Sequence, residues 1–212
     1  MPDPEEAINL LIEKGIKLPS KKKILDLEVS KLIIEDKVLS NDIKLIIKGN
    51  ERVAITGRNG SGKTVLLKKI LESLKNTSGI SVGYFPQNYD EILNYEHSSV
   101  EILQDLGFSM SKVMTMLGCL KFTSDEMKAK IKYLSEGQKA KVLIIKLILE
   151  KSNVLVMDEP TRNLSAISNP VIRRILKQFN GAIICVSHDR KFIHEVCSKT
   201  YRLTNEGLFI ID

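Results

Sequence analysis

Eight consecutive residues, Gly57, Arg58, Asn59, Gly60, Ser61, Gly62, Lys63 and Thr64, follow the spacing G-x-x-x-x-G-K-[ST] that suits a chain of phosphates. Glycines at 57, 60 and 62 let backbone N–H groups converge on anionic oxygens, the Lys63 ammonium reaches the outer phosphates, and the Thr64 hydroxyl is a ligand for Mg²⁺. A glycine-rich turn between strand and helix needs no ligand in itself. This one, however, ends in Lys-Thr and has the flanks that phosphate binding requires. Residues 52–56 are a short run suited to a buried strand, and residues 65–71 have helical spacing, so a positive helix N-terminus faces the same anion.

Other polar groups stand at the ends of apolar runs. Val154, Leu155, Val156 and Met157 stop at Asp158 and Glu159. Two adjacent carboxylates at the end of a buried strand carry a desolvation cost unless a cation meets them, and Mg²⁺ is such a cation. Residues 182–186 repeat the arrangement, ending in Ser187, His188 and Asp189 before a helix that opens at Arg190. Gln87 follows the strand-like residues 80–85 and Pro86; alone, it is an ordinary loop residue. Leu134, Ser135, Glu136, Gly137 and Gln138 precede a helix running to about Glu150, and the spacing of Ser135 and Gln138 by itself marks a helix start. In open α/β sheets ligands bind beyond the carboxyl ends of the strands, where the strand-terminal groups lie.

The elements that must position these groups are readable in outline. Ile24, Asp26, Glu28 and Ser30 alternate with Leu25, Leu27 and Val29. With residues 31–34 and 38–47 they predict antiparallel strands joined by the turn Glu35, Asp36 and Lys37. Residues 98–132 lose the alternation. There Ser98 with Glu101 and Thr123 with Glu126 have capping-box spacing, and Met110, Val113, Met114 and Leu117 recur at helical spacing, as a core stripe or a face for a partner does. Residues 7–12 predict a short helix before Gly15 and Pro19. They belong to a lead-in or linker remnant, residues 1–22, ahead of one domain over 23–212.

Composition sets the bounds. A chain of 212 residues that is 43% hydrophobic can bury one sizeable core with a small subdomain. Its longest apolar stretch, 142–149, is interrupted by Lys146 and falls far short of the roughly 20 residues of a membrane span. No basic, apolar, small-residue signal opens the chain, so a cytoplasmic location and no direct membrane span are expected. Cys119, Cys185 and Cys197 lack C-x-x-C spacing, which argues against a zinc site and a disulfide framework. The net charge of +6 is spread over single lysines and reads as a solvated surface, though it is compatible with a polyanionic partner.

Taken in order, residues 57–64, Gln87, residues 134–138, residues 154–159 and His188 resemble the nucleotide-binding cassette of the ATP-binding cassette (ABC) superfamily. The resemblance covers nearly the whole chain from about residue 23. A single phosphate loop is common to many NTPases, whereas five elements in this order are specific. The resemblance implies an α/β P-loop NTPase of ABC type, with a mainly parallel core sheet, an antiparallel β subdomain and a helical subdomain at about 98–140. It implies ATP and Mg²⁺ as ligands, with residues Gly57 to Thr64 on the phosphates and Thr64, Gln87 and Asp158 on the metal. Glu159 matches the base that polarises the attacking water, and Gln87 and His188 complete the catalytic set. Ser135, Gly137 and Gln138 match the signature motif, which acts on ATP held by an opposing cassette, so a second cassette, in the same or a different chain, is an expected partner. Phosphoryl transfer to water needs positioning and charge neutralisation more than covalent chemistry, which such a set supplies.

Four residues, at three places, depart from the family pattern. Glu136 stands where Gly is common, Ser165 where Asp is common, and Ile33 and Ile34 where an aromatic commonly stacks on adenine. Residues 83–87, 135–139 and 187–192 resemble the ABC-F group of soluble tandem-cassette ATPases, many of which act on ribosomes, and here the second cassette of such a protein. That resemblance implies the ribosome and its RNA as a partner. Two other roles fit the same motifs. One is the ATPase subunit of a transporter that docks a membrane domain through residues 98–132. The other is a nucleotide-gated binding module with little hydrolysis.

Overall fold

The computed structural model describes residues 18–212, so the helix expected at residues 7–12 lies outside the described residues. Strands β1 (Lys23–Ile34) and β2 (Lys37–Lys48) form an antiparallel hairpin in which residues 31–34 simply continue the first strand. Along β2 the period of two holds: Ile43, Leu45 and Ile47 are buried, and Lys44, Ile46 and Lys48 are exposed. Strict alternation fails at the start of β1. A register shift between Lys23 and Leu25 turns both Ile24 and Leu25 inward, as a bulge does when it places an extra residue opposite the partner strand.

The second sheet contains β3 (Arg52–Gly57), β4 (Val82–Phe85), β5 (Val154–Asp158), β6 (Ala182–Val186), β7 (Lys199–Leu203) and β8 (Leu208–Ile210). Their order is β4-β5-β6-β3-β7-β8, with parallel pairing throughout except between β7 and β8. Every residue of β5 and β6 is buried, which explains why these strands are unbroken apolar runs: both faces of a parallel sheet are covered. The sequence reading placed no strand beyond residue 186. Strands β7 and β8 are short; β7 is interrupted by polar residues and gains its order from pairing along the edge of β3, and β8 pairs in turn with β7.

Successive strand residues feed two separate cores. Val154, Val156, Ala182 and Ile184 pack with the hairpin and with Leu66, Leu67, Ile70 and Leu74 of helix α1 (Lys63–Lys75). Leu155, Met157, Ile183 and Cys185 point the other way. They meet the helices α2 (Ser99–Gln104), α3 (Met110–Cys119), α4 (Ser124–Lys128), α5 (Glu136–Leu149), α6 (Asn169–Gln178) and α7 (Arg190–Val196). Helix α5 is the centre of this second core, buried from Lys139 to Leu149 except at Lys146. Its Lys141 is inside because the ammonium donates to the Leu120 carbonyl at 2.7 Å and lies 4.6 Å from the centre of the Phe122 ring.

Both helix starts read from the sequence in residues 98–132 form. The Glu101 N–H donates to Ser98 Oγ at 3.2 Å while the Ser98 N–H donates to Glu101 Oε2 at 2.7 Å. Thr123 and Glu126 repeat the pair at 3.3 and 2.7 Å. The methionine-containing stripe is mostly core: Val113 and Leu117 are fully buried, Met114 is half-buried, and Met110 is 46% exposed. No described helix is long and apolar enough to cross a membrane.

The entry to β6 leaves no room for a side chain. A Cβ on Gly181 would lie 2.1 Å from the Asn153 carbonyl oxygen, which accepts the Ala182 N–H at 3.1 Å. Gly181→Ala is expected to lower stability by about 2–3 kcal/mol through forced separation of β5 and β6. The check is a urea denaturation midpoint that falls without a change in slope.

Candidate functional site

The phosphate loop joins the end of β3 to the start of α1. Gly57, Gly60 and Gly62 have φ of 152°, 77° and 93°, a region side chains avoid. At Gly62 space is also short, since a Cβ would lie 2.8 Å from the Leu32 side chain and 2.9 Å from that of Leu39, in the overlying hairpin. Helix α1 has no side-chain cap and no acid in its first turn, whereas α2, α4 and α5 each close theirs with a capping box. The first N–H groups of α1 are therefore left for an external anion. Lys63 is nearly buried, and its ammonium donates to the carbonyls of Gly57 at 2.9 Å and Arg58 at 2.8 Å. Burial lowers its pKa, opposed by the nearby carboxylates of Glu159 and Asp158.

Those carboxylates come from the end of β5. Asp158 is 1% exposed; its Oδ2 accepts from the Thr64 hydroxyl at 2.8 Å, while its Oδ1 is buried without a partner. A buried carboxylate oxygen with no donor is costly, and a hard anionic oxygen beside a hydroxyl matches the ligand chemistry of Mg²⁺. Glu159 has φ of 52°, a conformation costing a side-chain-bearing residue about 1–2 kcal/mol. It is fixed there by three contacts. Its N–H donates to the Val186 carbonyl at 2.9 Å, its Oε2 accepts the His188 N–H at 3.3 Å, and its Oε1 lies 3.6 Å from His188 Nε2. Burial raises the Glu159 pKa, partly offset by His188. His188 itself is placed by α7, whose cap Asp189 accepts the Phe192 N–H at 3.0 Å.

A cavity of about 620 Å³ gathers Asn59, Gly60, Gly62, Lys63 and Thr64 with Gln87, Asp158, Glu159 and His188. Residues spread over more than a hundred positions thus meet at the mouth of the glycine loop. The wall also includes Ile34, at the place where the family's aromatic is missing, and Arg162, which no motif singled out. Arg58 contributes through its carbonyl to Lys63, and the Ser61 hydroxyl is buried without a partner. Ser135, Gly137 and Gln138 are not part of this wall. Ser135 is exposed at the start of α5, where its Oγ accepts the Gln138 N–H at 3.3 Å and its N–H donates to Gln138 Oε1 at 2.9 Å.

Two of the departures are now explained. Glu136 is neutralised one turn along the helix, where Lys139 Nζ donates to its Oε1 at 2.8 Å. Ser165 uses its hydroxyl within its own turn, accepting the Ser168 N–H at 3.3 Å. None of the three cysteines forms a disulfide among the described residues; Cys119 and Cys185 lie in the core and Cys197 is half-buried.

Because folding raises the Glu159 pKa, ionising this group weakens the folded state at pH above its folded value, and the penalty vanishes below the unfolded value of 4.5. Glu159→Gln is therefore expected to raise the melting temperature of nucleotide-free protein at about pH 8 and to leave it unchanged near about pH 3.5. Calorimetry over that range measures the difference.

Comparison with known proteins places this geometry. The profile of the family described as ABC transporter matches residues 40–162. ABC transporter F family member 2 of Arabidopsis thaliana is 31% identical over 184 residues, covering 82% of this chain and 27% of that protein. Ribosome protection protein VmlR of Bacillus subtilis is 30% identical over 194 residues, covering 88% of this chain and 35% of that protein. The chain thus spans only about a quarter to a third of the length of these relatives. In fold it is similar to the ATP-binding cassette MJ0796, solved as a dimer in a post-hydrolysis state bound to ADP and Pi. That likeness has a TM-score of 0.67 at 20% identity over 88% of this chain and 95% of the other. A phosphate loop, paired acids and a histidine in one cavity, on this sheet and with these relatives, have one meaning: the chain belongs to the ABC transporter family, whose ATP-binding cassettes are ATPases.

Proposed function

We propose that this chain binds and hydrolyses ATP as one half of a head-to-tail pair of cassettes, in an ABC-F type protein that acts on ribosomes. The observation that carries the pairing is the separation of its two half-sites. The cavity collects the phosphate loop, Gln87, Asp158, Glu159 and His188, while Ser135, Gly137 and Gln138 stand outside it on an exposed helix start. A facing cassette supplies its own such helix start to this cavity and receives this one in return.

Within the cavity the loop N–H groups and the first turn of α1 cradle the phosphates, and Lys63 exchanges its loop carbonyls for phosphate oxygens. Thr64 and Asp158, with Gln87 in the same wall, would hold Mg²⁺, which would supply neutralisation of phosphate charge. Glu159, with its raised pKa and its oxygens fixed by His188, takes the proton of the attacking water, a task that favours a base poised nearer neutrality. His188 faces the same space and orients the group being transferred. The Glu136–Lys139 pair keeps the exposed helix start from repelling an incoming phosphate.

The wider role rests on the likeness to the Bacillus subtilis ribosome protection protein and to a plant F family member, and on a net charge of +6 suited to a polyanionic partner. In this reading the chain is the second cassette of a tandem protein in the cytosol, with a domain over 23–212 and residues 1–22 as the end of a linker. The last of these residues already join the domain, since Leu18 is buried against the hairpin.

Glu159→Gln is expected to retain ATP binding, lose phosphate release by about 10²–10⁴-fold and accumulate as an ATP-bound pair in size-exclusion chromatography. Lys63→Ala is expected to bind no ATP. Native protein releasing no more phosphate than Lys63→Ala removes the enzyme reading in favour of a binding module. Failure of the Glu159→Gln protein, in its full-length parent, to co-sediment with ribosomes in ATP removes the ribosomal role.

A further inference from the structure

Two thiols meet at the far end of the loop that carries His188. Cys185 lies on β6 and is fully buried, whereas Cys197, twelve residues on, follows the last residue of α7 and is half-buried. Their sulfurs are 3.7 Å apart, and the Cys185 thiol also donates to the Val53 carbonyl at 3.5 Å. The surroundings of the two differ. The contact with Cys197 and full burial push the Cys185 thiol well above the usual thiol range. Cys197 instead lines a second cavity of about 720 Å³, whose walls carry Arg190, Lys199 and Arg202 and one acid, Asp212.

A further cation stands beside Cys197. Burial lowers the Arg52 pKa and negative charge at Cys197 opposes the shift, so the guanidinium and the sulfur are close enough to act on each other. Arg52 Nη2 donates to the Phe179 carbonyl at 2.8 Å, but its Nε is buried with no partner among the described residues. An unused buried N–H beside a thiol is a donor for negative charge on sulfur or for an oxygen added to it. His188 lines this cavity as well as the nucleotide cavity. It comes three residues after Cys185, at the entry to the helix that ends at Cys197.

We infer that Cys197 is a modification site: a peroxide oxidises it, Cys185 converts the product to a disulfide, and the cross-link draws α7 toward β6 and slows turnover through His188. The effect on turnover rests on the role given above to His188. In the first step the Cys197 thiolate attacks a peroxide oxygen. The S–O bond forms, the O–O bond breaks, and the departing hydroxide takes a proton to leave as water, giving a sulfenic acid. The Cys185 sulfur then attacks the Cys197 sulfur. The S–S bond forms, the S–O bond breaks, and hydroxide leaves with the Cys185 proton as a second water. Two thiols lose two electrons, and the peroxide gains them. Sulfurs that stand 3.7 Å apart must close to about 2 Å. Strand β6 is buried along its length and paired on both edges, so the movement falls on the end of α7. That helix is tied at its other end to the His188 loop, where Asp189 accepts the Phe192 N–H and donates its own N–H to Ser187 Oγ. A disulfide that forms and is reduced again is the kind a reducing compartment permits.

The test treats the full chain with hydrogen peroxide, then maps its peptides by mass spectrometry and measures phosphate release. The expected result is a peptide linking Cys185 to Cys197, with phosphate release slowed about tenfold and restored by dithiothreitol. Cys197→Ser is expected to leave basal release within about twofold and to make it insensitive to peroxide. Cys185→Ala is expected to stop at the sulfenic acid, captured by dimedone at Cys197. Absence of the linked peptide in peroxide-treated native protein overturns the inference, as does a linked peptide with phosphate release unchanged. Equal slowing of Cys197→Ser protein by peroxide also overturns it. Undiminished phosphate release by reduced His188→Ala protein overturns instead the reading of His188, a result that is independent of whether the linked peptide forms.

Discussion

The constraint on which the rest depends is the burial of negative charge at the tip of β5. One oxygen of Asp158 receives the Thr64 hydroxyl and the other receives nothing, in a place that water scarcely reaches. A fold carries such a deficit only if a cation resolves it in the working state. Much else follows from this. The Lys63 ammonium is kept near, the first turn of α1 carries no acid that would compete, and Glu159 is forced into a left-handed backbone so that its carboxylate turns toward His188.

The two cores explain how that tip can be so apolar up to its last residue. Strand β5 lies between β4 and β6, with α1 and the hairpin on one face and α5 on the other. Alternate residues satisfy alternate cores, so the sequence shows no polar face at all until the strand leaves the sheet. Polarity then returns abruptly, and it returns as function.

The features readable from sequence were those governed by local rules. The phosphate loop, the capping pairs at Ser98, Thr123 and Ser135, and the buried runs of β5 and β6 each carry their cause within a few residues. What escaped depends on distant partners. The bulge near Ile24 is a matter of register with β2, and β7 is stabilised by pairing with β3, and β8 by pairing with β7, rather than by their own composition. Arg162 has no motif to announce it, and Tyr89 meets Asn163 only because β4 and β5 are neighbours in the sheet. The family resemblance assigned residues to a site, and the fold supplied the distances that show which of them meet and which face outward.

Strands β5 and β6, enclosed on both faces along their whole length, act as a fixed bench. Tools mounted at its edge inherit its stillness, so the paired acids have little freedom of their own. Whatever travels during a catalytic cycle must therefore belong to the periphery: the turn beyond β4, the loop beyond β6 and the helix start that looks outward. The chemistry stays in place while its surroundings come and go.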